Sequence, residues 1–361
     1  MKYTIPFIVF TLVSVTAFSQ SLRISESSST RSNSAGEFTV AGHQISMTKT
    51  SLGFTSGAAS SDLNSLTALS GALGINGITV YEGGGKELYN SSAYELQSGD
   101  NSAKVYVKPN GGFIVRENIA NFLFFDESGS IEQSISNSSQ STEGESVSEL
   151  AADPAFKTVV LYNPKIVRDQ IEGSRARIVK PNWTTTDIFY SGDRAIRFVK
   201  VSEDGQFIAV VSYKDGEDDK VDVMDRFGNE LETFSFNQTV ADLRFSKDGE
   251  FVTIRSNSRV GVYSLIDGER EGSTSFRSML HFAEYVPQDN TIIALTADIA
   301  GSVLSGVEFH AINVEARAIE RQDYNGQLGI SDLLSVSLDR TGSNSYSLTG
   351  LSKALNLSVS F

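Results

Sequence analysis

The densest group of chemically capable side chains is Asp215-Gly216-Glu217-Asp218-Asp219, four carboxylates within five positions. Oxygen ligands at 215, 217 and 219 resemble the opening of a calcium loop, because hard divalent cations are held by alternating carboxylates. Lys220 stands where such a loop carries glycine, and no bidentate glutamate follows at the required spacing. Two readings stay open: a solvated loop tip and a weak calcium site. Histidine is scarce, with His43, His281 and His310 spread along the chain. His281, at the start of an apolar run, is the candidate for an imidazole facing inward; the plainer reading is a hydrogen-bonded strand residue. Lys200 and Arg244 occupy equivalent places in two similar segments, each flanked by apolar residues (Val199 and Val201, Leu243 and Phe245). Two cations side by side suit a carboxylate ligand, or simply pair with neighbouring acids.

Much chemistry is absent. The chain has no Gly-x-Ser-x-Gly elbow, His-Glu-x-x-His motif, phosphate loop or dinucleotide fingerprint. Gly83-Gly84-Gly85 lacks the following Lys-Ser/Thr and reads as a turn. With no cysteine there is no lipidated Cys, disulfide, thiolate metal site or thiol nucleophile. No catalytic residue is assigned. The formal charge of −14 repels phosphate backbones and argues against nucleic-acid binding.

The first residues read as a signal peptide spanning 1–19. Lys2 supplies the positive start, Ile5 to Val15 the apolar core, and Ala17-Phe18-Ser19 the small residues before a cut at Gln20. The apolar core is shorter than the roughly 20 residues a membrane span needs, and no later segment reaches that length. The mature chain is therefore expected in the periplasm or outside the cell, soluble and monomeric. Residues 20–37, rich in serine, read as a flexible leader whose removal would be silent.

The elements that must position these groups are strands. Phe198-Val199-Lys200-Val201-Ser202-Glu203-Asp204-Gly205-Gln206-Phe207 can be laid over Asp242-Leu243-Arg244-Phe245-Ser246-Lys247-Asp248-Gly249-Glu250-Phe251, 44 residues on. Each is a polar Ser-x-Asp-Gly turn between apolar runs, which describes a hairpin. A second turn puts an acid three residues before a glycine, at Glu82/Gly85, Asp126/Gly129 and Asp225/Gly228. The acid can accept hydrogen bonds from turn amides while the glycine takes a positive φ. Weaker copies of the first hairpin surround Asn110-Gly111, Asp153-Pro154, Asp289-Asn290 and Asp339-Arg340. Ser61 to Gly74, with leucines at 63, 66, 69 and 73, is the one piece that could be a short helix.

These hairpins resemble those of WD40-like and YVTN/TolB-like β-propellers. The resemblance covers residues 38–361 and implies a fold, not a chemistry. No Trp-Asp dipeptide ends a strand, and the only tryptophan, Trp183, precedes a threonine. Divided by seven, residues 38–361 give about 46 per repeat, within the range of a propeller blade. The expected architecture is all-β: a seven-bladed propeller of four-stranded antiparallel blades. Its ring would be closed by pairing the C-terminal strand, Leu355 to Phe361, with an early strand at Glu37–Met47, since an open end leaves unpaired edges.

In such blades the loops from strand two to three, and from strand four to the next blade, share one face. That face would gather Asp215, Glu217, Asp218 and Asp219 with Asp169 and Glu172 of the preceding blade, joined by the Ser134–Ser148 loop. Long loops on a rigid scaffold are where recognition usually sits. The expected function is an exported, non-enzymatic propeller that binds a protein or ligand on this acidic face. One alternative is a metal-dependent propeller enzyme of the lactonase or lyase type, which needs His and carboxylate ligands converging on the channel. Another is an outer-membrane barrel, suggested by an alternating final strand ending in Phe361.

Overall fold

The computed structural model describes residues 21–27, 37–40, 43–49, 55–60, 65–70, 75–81, 87–91, 102–108, 112–116, 120–137, 148–168, 171–330, 333, 336–349, 351 and 354–361. The signal segment and the Glu82–Gly85 turn lie outside them. The chain begins with β1 (Ser21–Ser27), followed by β2 (Glu37–Val40), β3 (His43–Lys49), β4 (Thr55–Ser60), β5 (Ser65–Ser70), β6 (Ile75–Tyr81) and β7 (Glu87–Ser91). One sheet is ordered β2-β3-β6-β7. Next come β8 (Ser102–Val107), β9 (Phe113–Arg116), β10 (Asn121–Phe125) and β11 (Ile131–Ser136). The β4–β5 hairpin adds to them through β8, giving six strands.

Four sheets then follow strictly in chain order. They are β12 (Glu149–Ala152), β13 (Val159–Arg168), β14 (Ile171–Val179) and β15 (Thr185–Ser191); and β16 (Ala195–Val201), β17 (Phe207–Tyr213), β18 (Asp219–Asp225) and β19 (Glu230–Phe236). The third is β20 (Asp242–Phe245), β21 (Phe251–Arg255), β22 (Arg259–Ser264) and β23 (Arg270–Ser275). The fourth is β24 (Leu280–Val286), β25 (Thr291–Ala300), β26 (Val303–Asn313) and β27 (Ala318–Asp323). The last sheet joins β28 (Ser337–Gly342), β29 (Ser345–Thr349) and β30 (Ala354–Ser360) with β1 on its outside.

Burial is concentrated in the inner strands: β17 and β24 each bury five of seven residues, whereas the outer strands β23 and β27 bury none. Middle strands are apolar on both faces because a sheet lies on each side of them. In β17, Ile208 and Val210 pack with Val160 and Ile178 of the preceding sheet, while Ala209 and Val211 pack with Val252 and Ile254 of the next. All eight are buried.

The repeated turns have the expected chemistry. The Ser202 hydroxyl donates to Asp204 at 2.6 Å and accepts the Phe207 amide at 2.9 Å; Ser246 accepts the Phe251 amide at 3.0 Å. Gly205 and Gly249 both sit at φ +73°, where a β-carbon is strained. In the second turn type, Asp126 accepts the amides of Ser128 and Ser130, and Asp225 those of Phe227 and Asn229. The Ser128 hydroxyl, with these amides, holds the Asp126 carboxyl below its usual range; burial would raise Asp225, but the Asn229 side chain and the turn amides bring it below.

The expectation of seven four-stranded blades fails. Among the described residues there are six four-stranded sheets and one of six strands, and none closes into a ring. Part of the reason lies in Ser61 to Gly74, whose described part is β5, paired with β4 and β8. Leucine spacing over so short a stretch cannot offset helix nucleation, and a strand bonded on both sides satisfies its backbone completely. The closing pair was also misplaced. Glu37–Met47 covers β2 and most of β3, which pair with each other and with β6. β30 pairs instead with β1, from Ser21 opposite Ser360 to Ser27 opposite Ala354. That strand lies in the stretch read as a flexible leader. Leu22 is buried in one cluster with Leu355, Leu357 and Val359, and Ile24 packs against it.

Candidate functional site

β17 and β18 are joined by 214–218, and β19 leads to β20 through 237–241. Both connections lie at the end of the sheets opposite the Ser-x-Asp-Gly turns, the loop end. Arg194, mostly buried just before β16, anchors the first loop. Its guanidinium donates to the Ser212 hydroxyl (3.2 Å) and carbonyl (3.2 Å), the Asp218 carbonyl (2.9 Å) and Glu217 (2.9 Å). Lys214 bridges Asp193 at 3.0 Å and Glu217 at 2.8 Å. Bonds to Lys214 hold the Glu217 and Asp193 carboxyls below their usual range, and those two acids raise the lysine. Gly216, at φ +80°, makes the bend between Lys214 and Glu217.

Asp219 is not part of an exposed acidic tip. Its side chain is 5% exposed and takes the Arg197 guanidinium in a two-pronged pair at 2.9 and 3.0 Å. It also accepts the buried Val240 amide at 2.7 Å, which ties β18 to the connection leading into the next sheet. Arg197 in turn lies over the Tyr213 ring, 4.2 Å from its centre. The five-residue acidic run therefore divides. Glu217 and Asp219 are consumed in ion pairs, while Asp215 and Asp218 are exposed.

Arg197, Tyr213, Asp215, Asp218 and the polar run Asn237-Gln238-Thr239 line one cleft of about 310 Å³. The Gln238 carbonyl is occupied by the hydroxyls of Ser256 and Ser258. What remains on offer is two open carboxylates beside a stacked arginine–tyrosine pair, a surface suited to a cationic side chain. The calcium reading loses its ligand set, since 215, 217 and 219 do not converge. Among the described residues no three His, Asp or Glu gather to hold a metal. Asp169 lies outside the described residues; Glu172 lies on β14, beside the tip of the β13–β14 hairpin at the same loop end.

Lys200, Arg244 and His281 sit on first strands, at β16, β20 and β24. The two cations meet acids rather than an open space. Lys200 lies 3.6 Å from Asp242; Arg244 lies 3.4 Å from Asp242 and 3.3 Å from Glu284, donates to the Val336 carbonyl at 3.0 Å, and stacks on Phe282. Burial alone would raise the Asp242 carboxyl, but Lys200, Arg244 and Arg255 bring it down to about 2. Burial pushes Glu284 up to about 7 despite Arg244. His281 contacts the Ala297 carbonyl through Nε2 at 3.0 Å, and burial keeps its imidazole below the usual range, so the neutral ring donates there. Both cations are thus paired with acids, and the histidine is bonded to a strand carbonyl.

Sequence reasoning missed Arg194, Arg197 and the fully buried Arg116, which reaches Glu149 at 3.1 Å and the Ser148 carbonyl at 3.3 Å. One signal was available: an arginine ending an apolar run such as Phe113-Ile114-Val115-Arg116 must find an acid across a sheet boundary.

No family model matches the chain, and no curated protein sequence matches it. Solved structures do. The crystal structure of the C-terminal WD40 domain of Sif2 superposes with a TM-score of 0.50 at 11% identity, covering 88% of this chain and 90% of that one. The fold is of the WD40-like propeller type. A chain in the crystal structure of the mitotic checkpoint complex matches at 10% identity with a TM-score of 0.48, covering 100% of this chain and 98% of that one. At such identity the propeller likeness concerns the fold alone. Two observations bear on the alternatives. The described strands form separate open sheets rather than one closed barrel wall, and no described helix is long and apolar enough to cross a membrane.

Proposed function

We propose that this chain is an exported, non-catalytic propeller that holds a protein or ligand partner on its loop end, through Asp215 and Asp218. One observation carries the reading. Four charged side chains around these acids are spent on one another (Arg194 with Glu217, Arg197 with Asp219), and Arg194 and Asp219 also bond the backbone, while Asp215 and Asp218 stay exposed over a cleft. A loop tied down by the buried Arg194 guanidinium and the buried Asp219 carboxylate, and carrying open charge, is preorganised for recognition, because little ordering entropy remains to be lost on binding. The chain's acidity fits a cationic partner and opposes a nucleic acid. Export rests on the signal-like start, and a monomer is expected.

The test is charge reversal at the two open positions. Asp215→Lys with Asp218→Lys should leave folding intact and weaken partner capture from the envelope or culture fluid at least tenfold. A control reversal at the exposed Glu250, at the other end of the sheets, should leave capture unchanged. Equal capture by both variants would defeat the proposal. Stoichiometric metal that survives dialysis of the purified protein would favour the metal-enzyme reading instead.

A further inference from the structure

β1 differs from every other outer strand of the four-stranded sheets. In the other five the fourth strand follows its neighbour directly along the chain, whereas β1 reaches β30 from the opposite terminus. The contacts that hold it come from the C-terminal third of the chain. Seven residues pair with β30, Leu22 and Ile24 enter the cluster holding Leu355, Leu357 and Val359, and Glu26 accepts the Tyr324 hydroxyl at 2.8 Å. β1 also packs beside β27. Only residues 28–36 connect it to β2, and β2 is the first strand of its own sheet.

From this arrangement we infer that the outer edge of β30 is a strand-acceptor site, and that β1 of a second copy of this chain can fill it, giving a strand-exchanged dimer. Each contact that β1 makes within one chain is available unchanged between two chains, so the linker alone decides which form prevails. Running from the outermost strand of one sheet to the first strand of a sheet stacked on it crosses three strand spacings and one sheet spacing, at least about 17 Å in all. Nine linker residues reach up to about 30 Å, so the intramolecular pairing is unstrained. A nine-residue tether also gives β1 an effective concentration of order 1 mM at its own chain's edge. The monomer is therefore the resting form. Exchange occurs when β1 is released at high protein concentration, or when the linker is too short.

The absence of cysteine makes the test clean. Arg23 and Ser358 face each other in the pairing and are both exposed. Arg23→Cys with Ser358→Cys should give an intrachain disulfide in the full-length mature chain. Removing residues 29–35 leaves a two-residue linker reaching about 7 Å, short of the crossing. That variant should elute as a dimer or larger exchanged oligomer, with the same cysteines joined between chains on a non-reducing gel. A folded monomer, or a dimer without the interchain bond, would overturn the inference. A second measurement covers failure of the shortened chain to fold. The full-length double-cysteine protein, unfolded reduced and refolded oxidised, should give interchain dimers that rise at least tenfold from 1 to 100 µM, because both concentrations lie below the roughly millimolar effective concentration of the tether. A fraction independent of concentration would overturn it as well.

Discussion

Replacing Asp219 by alanine tests the division of the acidic run most sharply. In the structure this carboxylate is 5% exposed, holds both prongs of Arg197 and accepts the amide of Val240, itself buried. Losing one partner of a buried pair costs about 3–5 kcal/mol, because the other charge is left without compensation. Arg197 is 27% exposed and lies on Tyr213, so water can recover part of that loss. The orphaned Val240 amide adds about 1–3 kcal/mol. A net loss of about 3 kcal/mol follows from these opposing terms. At about 2 °C per kcal/mol for a chain of this size, the melting temperature should fall by about 6 °C. Asp215→Ala with Asp218→Ala should shift it by no more than about 1 °C, since exposed charges contribute little. Thermal unfolding followed by circular dichroism reads both. A double-mutant cycle with Arg197→Met should return a coupling of at least about 1 kcal/mol. If Asp219→Ala melts like the Asp215/Asp218 variant, the buried pair does not hold the loop and the reasoning fails.

Three other outcomes are expected. Gly205→Val and Gly249→Val should each cost about 1–3 kcal/mol, because a β-branched residue is strained at φ +73° and the new β-carbon would crowd Asp153 at 3.1 Å or Phe207 at 2.6 Å; unchanged urea midpoints would contradict the turn assignment. Burial raises the folded-state Glu284 carboxyl from its ordinary 4.5 to about 7, so its contribution is fully present below pH 4.5 and is lost as pH rises through 7. Glu284→Gln should flatten stability between pH 5 and 8, and an unaltered pH slope would count against it. Deleting residues 21–27, silent on the leader reading, should lower stability by about 2–4 kcal/mol through loss of Leu22 and Ile24 from the core; an unchanged melting temperature would restore that reading.

The fold was legible where chemistry is local. Ser202, Asp204 and Gly205 bond within six residues of one another, so their spacing carries the whole turn, and its return at Ser246, Asp248 and Gly249 reveals the repeat. Pairing between distant segments left weaker marks. In β1 only Leu22 and Ile24 interrupt a polar stretch, and serine-rich composition resembles a linker until Leu355, Leu357 and Val359 are seen across from it. The acidic run failed for the same reason. Asp219 reads like Asp218 in sequence, but its partners, Arg197 and Val240, stand 22 and 21 residues away. Lys200 and Arg244 both meet Asp242, because equivalent positions in adjoining repeats fall on successive first strands. Their acid, Asp242, was already in the quoted repeat, two residues before Arg244.

Recognition at the loop end can be read directly by placing a photoreactive amino acid at position 215 or 218, and separately at 226 or 250 on the opposite end. The labelled chains are expressed in the native cell and irradiated. The account predicts a discrete crosslinked partner from 215 and 218, lost when the unlabelled one of that pair is changed to lysine, and none from 226 or 250. A partner captured from 226 or 250 alone, or equally from both ends, would contradict it.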